Sequence, residues 1–100
     1  MQRRVVLTEL RPECRNAYIE AHKAVWPELL DRYREAGFHK ITCHLLGTTL
    51  VVITEAEDIE AVSKVMAGDP VDIRWQSWMA TLRPEGADFV RAENVYEVTL

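Results

Sequence analysis

Residues 40–55 read Lys40-Ile41-Thr42-Cys43-His44-Leu45-Leu46-Gly47-Thr48-Thr49-Leu50-Val51-Val52-Ile53-Thr54-Glu55. Apolar and β-branched residues crowd both halves, and Gly47-Thr48 stands between them as a two-residue turn. That spacing predicts strands over 40–46 and 49–55, joined as a β-hairpin. What flanks the hairpin decides the topology. Upstream, residues 4–10 are rich in Val and Leu and predict a strand that ends before Pro12. Residues 13–25 then take a helical period, with Ala17, Ala21, Ala24 and Val25 on one side and Arg15, Glu20 and Lys23 on the other. Pro27 interrupts: either the helix kinks, or a new one begins with Pro27 at its first position. The pattern continues over 27–36 through Leu29, Leu30 and Tyr33, and Gly37 supplies a C-terminal cap. Downstream, Asp58 caps a helix over 59–67 that carries Ile59, Val62, Val65 and Met66 on one face, with Gly68 past its end. Asp69-Pro70 opens another helix, running to about Leu82 and closed by Pro84. Residues 94–100 alternate in Val and Thr and predict a final strand.

The order is therefore β-α-β-β-α-(α)-β, an α+β chain with the ferredoxin-like split βαβ pattern: a four-stranded antiparallel sheet with helices on one face. One hundred residues supply no second layer for the other face. Strand positions such as Val6, Thr8, Thr42, His44, Val52 and Thr54 would leave it partly apolar and partly polar. Such a face is a dimer surface or a ligand floor. The expectation is both: a homodimer whose sheets meet across the axis, a dimeric α+β barrel, with a pocket beside the sheet.

Length predicts a single domain over residues 1–100 and leaves no room for separate cofactor and substrate lobes. An apolar fraction of 48% and a charged fraction of 28% belong to a folded chain rather than a disordered one. Twelve basic against sixteen acidic residues give a net charge of −4, which argues against nucleic-acid and anionic-membrane partners. Cys14 and Cys43 make neither a disulfide framework nor a metal quartet. No apolar run approaches the ~20 residues of a membrane span. Only three apolar residues separate Met1-Gln2-Arg3-Arg4 from Thr8, too few for a signal peptide. These features predict a reduced, cytoplasmic protein.

Most chemical motifs are missing. There is no G-x-G-x-x-G, no G-x-x-x-x-G-K-[ST] and no G-x-S-x-G. His22, His39 and His44 lack ligand spacing, so no metal and no cofactor are expected. Cys14 and Cys43 read as small buried hydrophobes, although Cys14 stands near a helix start where a thiolate would be favoured. The informative stretch is Tyr18-x-x-x-His22-x-x-x-Trp26. Positions four apart on a helix share one side, so a phenol, an imidazole and an indole fall in one stripe. For Trp26, packing and a place in the pocket are equally open. Burying a His beside a Tyr is harder, since both need hydrogen-bond partners. A pocket edge meets that need and supplies a general acid and base. A second cluster is Arg74-Trp75-Gln76-Ser77-Trp78. Its helical spacing serves a core, but indoles beside Arg and Gln donors also make a platform for a sugar ring.

These residues, taken together, resemble the L-rhamnose mutarotase family of small dimeric ferredoxin-like sugar epimerases. The resemblance covers nearly the whole chain. It rests on Tyr18-x-x-x-His22, Trp26-Pro27-Glu28-Leu29, Gly37-Phe38-His39-Lys40-Ile41, Arg74-Trp75 followed by Met79, and a closing Val95-Tyr96-Glu97-Val98 strand. H-x-x-x-W-P-E-L is its most specific part. The resemblance implies that Tyr18 and His22 are the acid/base pair. It also implies that Trp75, Gln76, Trp26, Arg74 and His44 contact a sugar. The family's paired tryptophans are broken here, because Gln76 follows Trp75 and the next tryptophan is Trp78. His44 stands where an aromatic is usual. L-rhamnose, L-fucose or another 6-deoxy sugar is the implied substrate. The implied chemistry needs no cofactor: the ring opens to the aldehyde, the C1–C2 bond rotates, and the ring closes on the other face. Two other readings share the fold: a cofactor-free monooxygenase or haem-degrading enzyme, and a sugar-binding module without catalysis. Acceleration of anomer exchange separates the first reading from both.

Overall fold

In the computed structural model, which describes residues 1–100, the hairpin forms where its turn requires it. Gly47 sits at φ +61°, a left-handed conformation that glycine adopts without steric cost. Strands β2 (Phe38–Leu46) and β3 (Thr49–Ala56) pair antiparallel, with a bulge between Phe38 and Lys40. Strand β1 (Gln2–Glu9) pairs with β3 over its full length, from Gln2↔Ala56 to Glu9↔Thr49. A two-residue strand, β4 (Val90–Arg91), adds to the far edge of β1, giving the order β2-β3-β1-β4.

Helices α1 (Arg15–Lys23), α2 (Pro27–Ala36), α3 (Ile59–Ala67) and α4 (Pro70–Ala80) cover one side of this sheet. Pro27 begins a separate helix rather than kinking a long one, with the break at Ala24–Trp26. A proline at the first helical position loses no hydrogen bond, since that N–H would have had no partner. Asp58 and Asp69 cap α3 and α4 by accepting from Ala61 N–H, and from Val71 and Asp72 N–H. Such caps contribute about 1 kcal/mol each. Gly37 closes α2 at φ +107°, where an added Cβ would meet Val62 Cγ1 at 3.2 Å.

The core lies between helices and sheet, around Leu29, Leu50, Val71, Trp75 and Met79. Leu29 is wholly buried, which stabilises the fold by about 1.5–3 kcal/mol. It packs in one cluster with Tyr18 of α1 and Leu50 of β3.

Two expectations are corrected. Residues 94–100 are not a strand. The chain pairs with β1 only at Val6↔Arg91 and Leu7↔Val90, and the Ala92 N–H then donates to the Val5 carbonyl at 2.8 Å. Beyond that point Val95, Tyr96, Val98 and Leu100 are exposed. Alternation suits a pleated surface but supplies no neighbouring strand, and the β1 edge is engaged only near Val5–Leu7. Secondly, Val6, Thr8, Val52 and Thr54 do not share a face with Thr42 and His44. The register puts the first four toward the helices and the last two on the open side. No helix is long and apolar enough to cross a membrane.

Candidate active site

A pocket of about 760 Å³ opens between the helix side of the sheet and helices α1, α2 and α4. Tyr18 and His22 enter it from α1, Trp75 and Gln76 from α4, and Cys43 and Val52 form part of its floor. The four-residue spacing stacks the Tyr18 and His22 rings, with centroids 4.1 Å apart and planes 28° from parallel. The Trp75 and His22 rings lie with centroids 5.3 Å apart and planes 78° from parallel.

The imidazole is fixed from its own helix. His22 Nδ1 lies 2.8 Å from the Tyr18 carbonyl oxygen. A carbonyl only accepts, so Nδ1 carries the proton, and in the neutral ring Nε2 keeps the lone pair. The phenol is set the opposite way. Burial, with the Cys43 thiol beside it, holds the Tyr18 hydroxyl far above the ordinary tyrosine range, so it keeps its proton at neutral pH. The pair therefore presents one base and one proton donor.

Across the pocket, Tyr33 OH donates to Asp72 Oδ1 at 2.9 Å, and Gln76 Nε2 donates to the same oxygen at 3.3 Å. Burial and the adjacent Asp72 carboxylate push the Tyr33 phenol up as well. Tyr33, Asp72, Arg4 and Arg83 all line the pocket, and sequence reasoning assigned none of them. The alternation of β1 would have put Arg4 beside Val6 on the inner face. Tyr33 falls in the apolar helical pattern over 27–36, which gives no sign of a partner on another helix.

The structure thus brings together Tyr18, His22, Trp75 and Gln76, but not the other three candidates. Trp26 stands behind the pocket, edge-on to Trp75 at 5.1 Å and stacked on Trp78 at 6.0 Å, so it braces Trp75. Arg74 is exposed, 3.8 Å from Glu28 and 5.9 Å from the Trp26 ring. Its helical position turns it away from the face that Trp75 presents. His44 lies on the open face of the sheet, where Nε2 meets Thr42 Oγ1 at 3.1 Å. An odd step along a strand reverses the face, so His44 cannot share the pocket that Cys43 lines.

With this geometry in view, residues 3–98 match the sequence profile of L-rhamnose mutarotase. The chain belongs to the L-rhamnose mutarotase family. It is accordingly a carbohydrate isomerase. A relative from Tolumonas auensis named L-rhamnose mutarotase is 29% identical over 90 residues, spanning 88% of this chain and 86% of that one. The crystal structure of an L-rhamnose mutarotase from Formosa agariphila superposes with a TM-score of 0.81 at 19% identity, covering 99% of this chain and 100% of that one. An antibiotic biosynthesis monooxygenase also superposes, with a TM-score of 0.63 at 14% identity over 95% of this chain and 100% of its own. The fold is thus shared with enzymes of other chemistry, and the sequence match is what separates the mutarotase family from them.

Proposed function

We propose that the chain interconverts the α and β anomers of a 6-deoxy aldose, L-rhamnose or L-fucose, with His22 and Tyr18 as the catalytic pair. The carrying observation is the Nδ1-anchored imidazole stacked on a buried, protonated phenol beside Trp75. His22 Nε2 takes the proton from the anomeric O1. Tyr18 donates its proton to the ring oxygen O5 as the C1–O5 bond breaks. The products of that step are the open aldehyde, an imidazolium and a phenolate. The two enzyme charges stabilise each other across the stack. Rotation about C1–C2 presents the other face, and both protons return as the ring closes. Positioned proton transfer of this kind contributes about 10²–10⁴-fold, and no cofactor enters any step. Trp75 offers its indole to the C–H face of the sugar, and Gln76 its amide to a hydroxyl.

The chain works as one domain and as a homodimer across the open sheet face. Support for the dimer comes from the apolar centre of that face, Val5, Leu7, Val51 and Ile53, and from the exposed apolar residues of 95–100. A reducing, cytoplasmic setting is supported by the free thiols of Cys14 and Cys43.

Saturation-transfer NMR on L-rhamnose and L-fucose with catalytic amounts of protein tests the activity. Exchange accelerated by the protein and lost in His22→Ala is expected. Equal exchange with and without protein sinks the reading. Sedimentation velocity tests the dimer.

A further inference from the structure

Gln76 is one corner of a hydrogen-bonded group in the pocket wall. Asp72, Trp75, Gln76 and Met79 stand at helical spacing along α4, and all four line the pocket. Trp75 and Met79 are buried, and Asp72 is half-buried. The Asp72 carboxylate is held by one of its oxygens. Oδ1 accepts from Tyr33 OH of α2 at 2.9 Å and from Gln76 Nε2, one turn along its own helix, at 3.3 Å. Tyr33 is steadied in turn by Phe38, with ring centroids 5.3 Å apart and planes 70° from parallel. The Asp72 N–H donates to Asp69 Oδ1 at 3.2 Å, which fixes the backbone beneath the side chain. With Oδ1 taken by donors from two helices, the carboxylate has a set orientation.

Oδ2 is the oxygen left over. No group of the protein donates to it, and no lysine or arginine pairs with Asp72. It is not sealed off either, since the buried polar atoms without a partner are Arg4 Nε, Thr8 Oγ1 and Arg83 Nε. The tie between α2 and α4 needs only Oδ1, and a neutral amide oxygen would serve it. A charged group is costlier to enclose than an amide, so the second oxygen asks for a partner of its own. A carboxylate oxygen only accepts. In a pocket for a neutral sugar the donor it meets is a hydroxyl, and a hydrogen bond to a charged acceptor is stronger than one between neutral groups. Trp75 offers its face to the C–H side of the ring, which leaves the hydroxyls to polar groups such as this one.

We infer that Asp72 determines which aldose is accepted: its Oδ2 takes a hydrogen bond from a ring hydroxyl at C2, C3 or C4, and Tyr33 positions the carboxylate for it. This rests on the mutarotase reading above and adds a specificity residue to it. O1 and O5 belong to His22 and Tyr18 in that reading, so the hydroxyl on Asp72 takes no part in ring opening and the proton steps are unchanged. Such a contact selects by penalty. A sugar that lacks the hydroxyl, or carries it on the other side of the ring, displaces water from the acceptor and gives nothing back. L-rhamnose and L-fucose differ in configuration at C2 and C4, so a contact at either carbon separates the two sugars.

Anomer exchange, corrected for the rate without protein, is measured on whichever of L-rhamnose and L-fucose the protein accelerates more, and on analogues of that sugar deoxygenated at C2, at C3 and at C4. Asp72→Asn keeps Oδ1 for Tyr33 and Gln76 and turns Oδ2 into an amide NH2, so it removes the free acceptor alone. In this variant kcat/KM on the parent sugar should fall about 10- to 100-fold. One deoxy analogue should be as poor a substrate for the wild type, and Asp72→Asn should cost nothing further on it. Tyr33→Phe, which loosens the carboxylate without removing it, should give the same pattern with a smaller loss. Should Asp72→Asn fail to fold, Tyr33→Phe and the wild-type deoxy series carry the test. A loss by the same factor on every sugar makes Asp72 a tie between helices and overturns the inference. So does an unchanged kcat/KM on the parent sugar. Both results leave the mutarotase reading intact, whereas acceleration of no sugar overturns the two together.

Discussion

On the helix side of the sheet, Arg4, Val6 and Thr8 of β1 lie beside Thr54, Val52 and Leu50 of β3; on the open side, Arg3, Val5, Leu7 and Glu9 lie beside Glu55, Ile53, Val51 and Thr49. Both sides follow one alternation, charged or polar at the ends and apolar between. Their polar groups fare differently. On the open side Arg3 pairs with Glu55 at 2.8 Å, and Glu9 accepts from the hydroxyls of Thr48 and Thr49. On the helix side Arg4 Nε and Thr8 Oγ1 are buried with no partner. A face whose polar groups satisfy one another is ready to rest against an apolar neighbour. The unpaired groups of the other face lie on the side of the sheet that carries the pocket.

The largest expected effect separates the two faces by their histidines. His22→Ala should slow anomer exchange by about 10²–10⁴-fold. His44→Ala, on the open side, should leave the rate essentially unchanged, because His44 lies on the face of the sheet opposite the pocket. Exchange rates by NMR on both variants decide it. A comparable loss in both would return His44 to the site through a neighbouring subunit.

The local part of this contrast is legible in the sequence. The hairpin at Gly47-Thr48, the caps at Asp58 and Asp69 and the stop at Gly37 are local devices, and all appear where their chemistry puts them. Tyr18 and His22 are four apart on one helix, so their stacking is also local. Register is not local. Which of two alternating sets faces the helices depends on pairing across β1, β3 and β2, and this is why His44 and Thr42 were grouped with Val52. The strand expected over 94–100 failed for a related reason, since its partner edge lies some ninety residues upstream and is engaged only at Val6 and Leu7. Tyr33 and Asp72 come from separate helices and meet only in the folded pocket.

Next in size is the core under the pocket. Leu29 is wholly buried, so Leu29→Ala should cost about 2–5 kcal/mol in chemical denaturation. An equivalent truncation on the open side, Leu7→Ala, should cost less in an isolated chain, because Leu7 keeps part of its surface exposed. Similar losses for both would mean that the open face is covered in solution, and the Leu7 variant should then also shift the sedimentation coefficient.

Alkaline pH tests the buried phenols. Tyr33 and Tyr18 are both raised in the folded chain, chiefly by burial. Their contribution is complete below the unfolded phenol's value of about 10 and is lost as pH rises from there toward the folded value. Tm should therefore fall more steeply above about pH 10 than below it. Tyr33→Phe should make that fall shallower while lowering Tm at neutral pH, where Asp72 loses a donor. An identical alkaline slope in wild type and Tyr33→Phe would mean that the phenol is solvated.

The smallest effect belongs to the open face and runs in the acid direction. The side-chain hydrogen bond from Arg3 holds the Glu55 carboxyl below the usual carboxylate range. A lowered carboxylate contributes stability above its unfolded value of about 4.3 and loses it as pH falls through the folded value. In an isolated chain this pair meets solvent, so the acid loss should be slight and 0.5 M salt should erase it. Glu55→Gln should flatten it equally. Covering the face with a second subunit removes the salt sensitivity and leaves the direction in pH unchanged: a desolvated pair is poorly screened, and the acid loss then persists in salt. Tm measured from pH 3 to 7 at two salt concentrations thus reports, through one ion pair, whether the self-satisfied face of the sheet is open or closed.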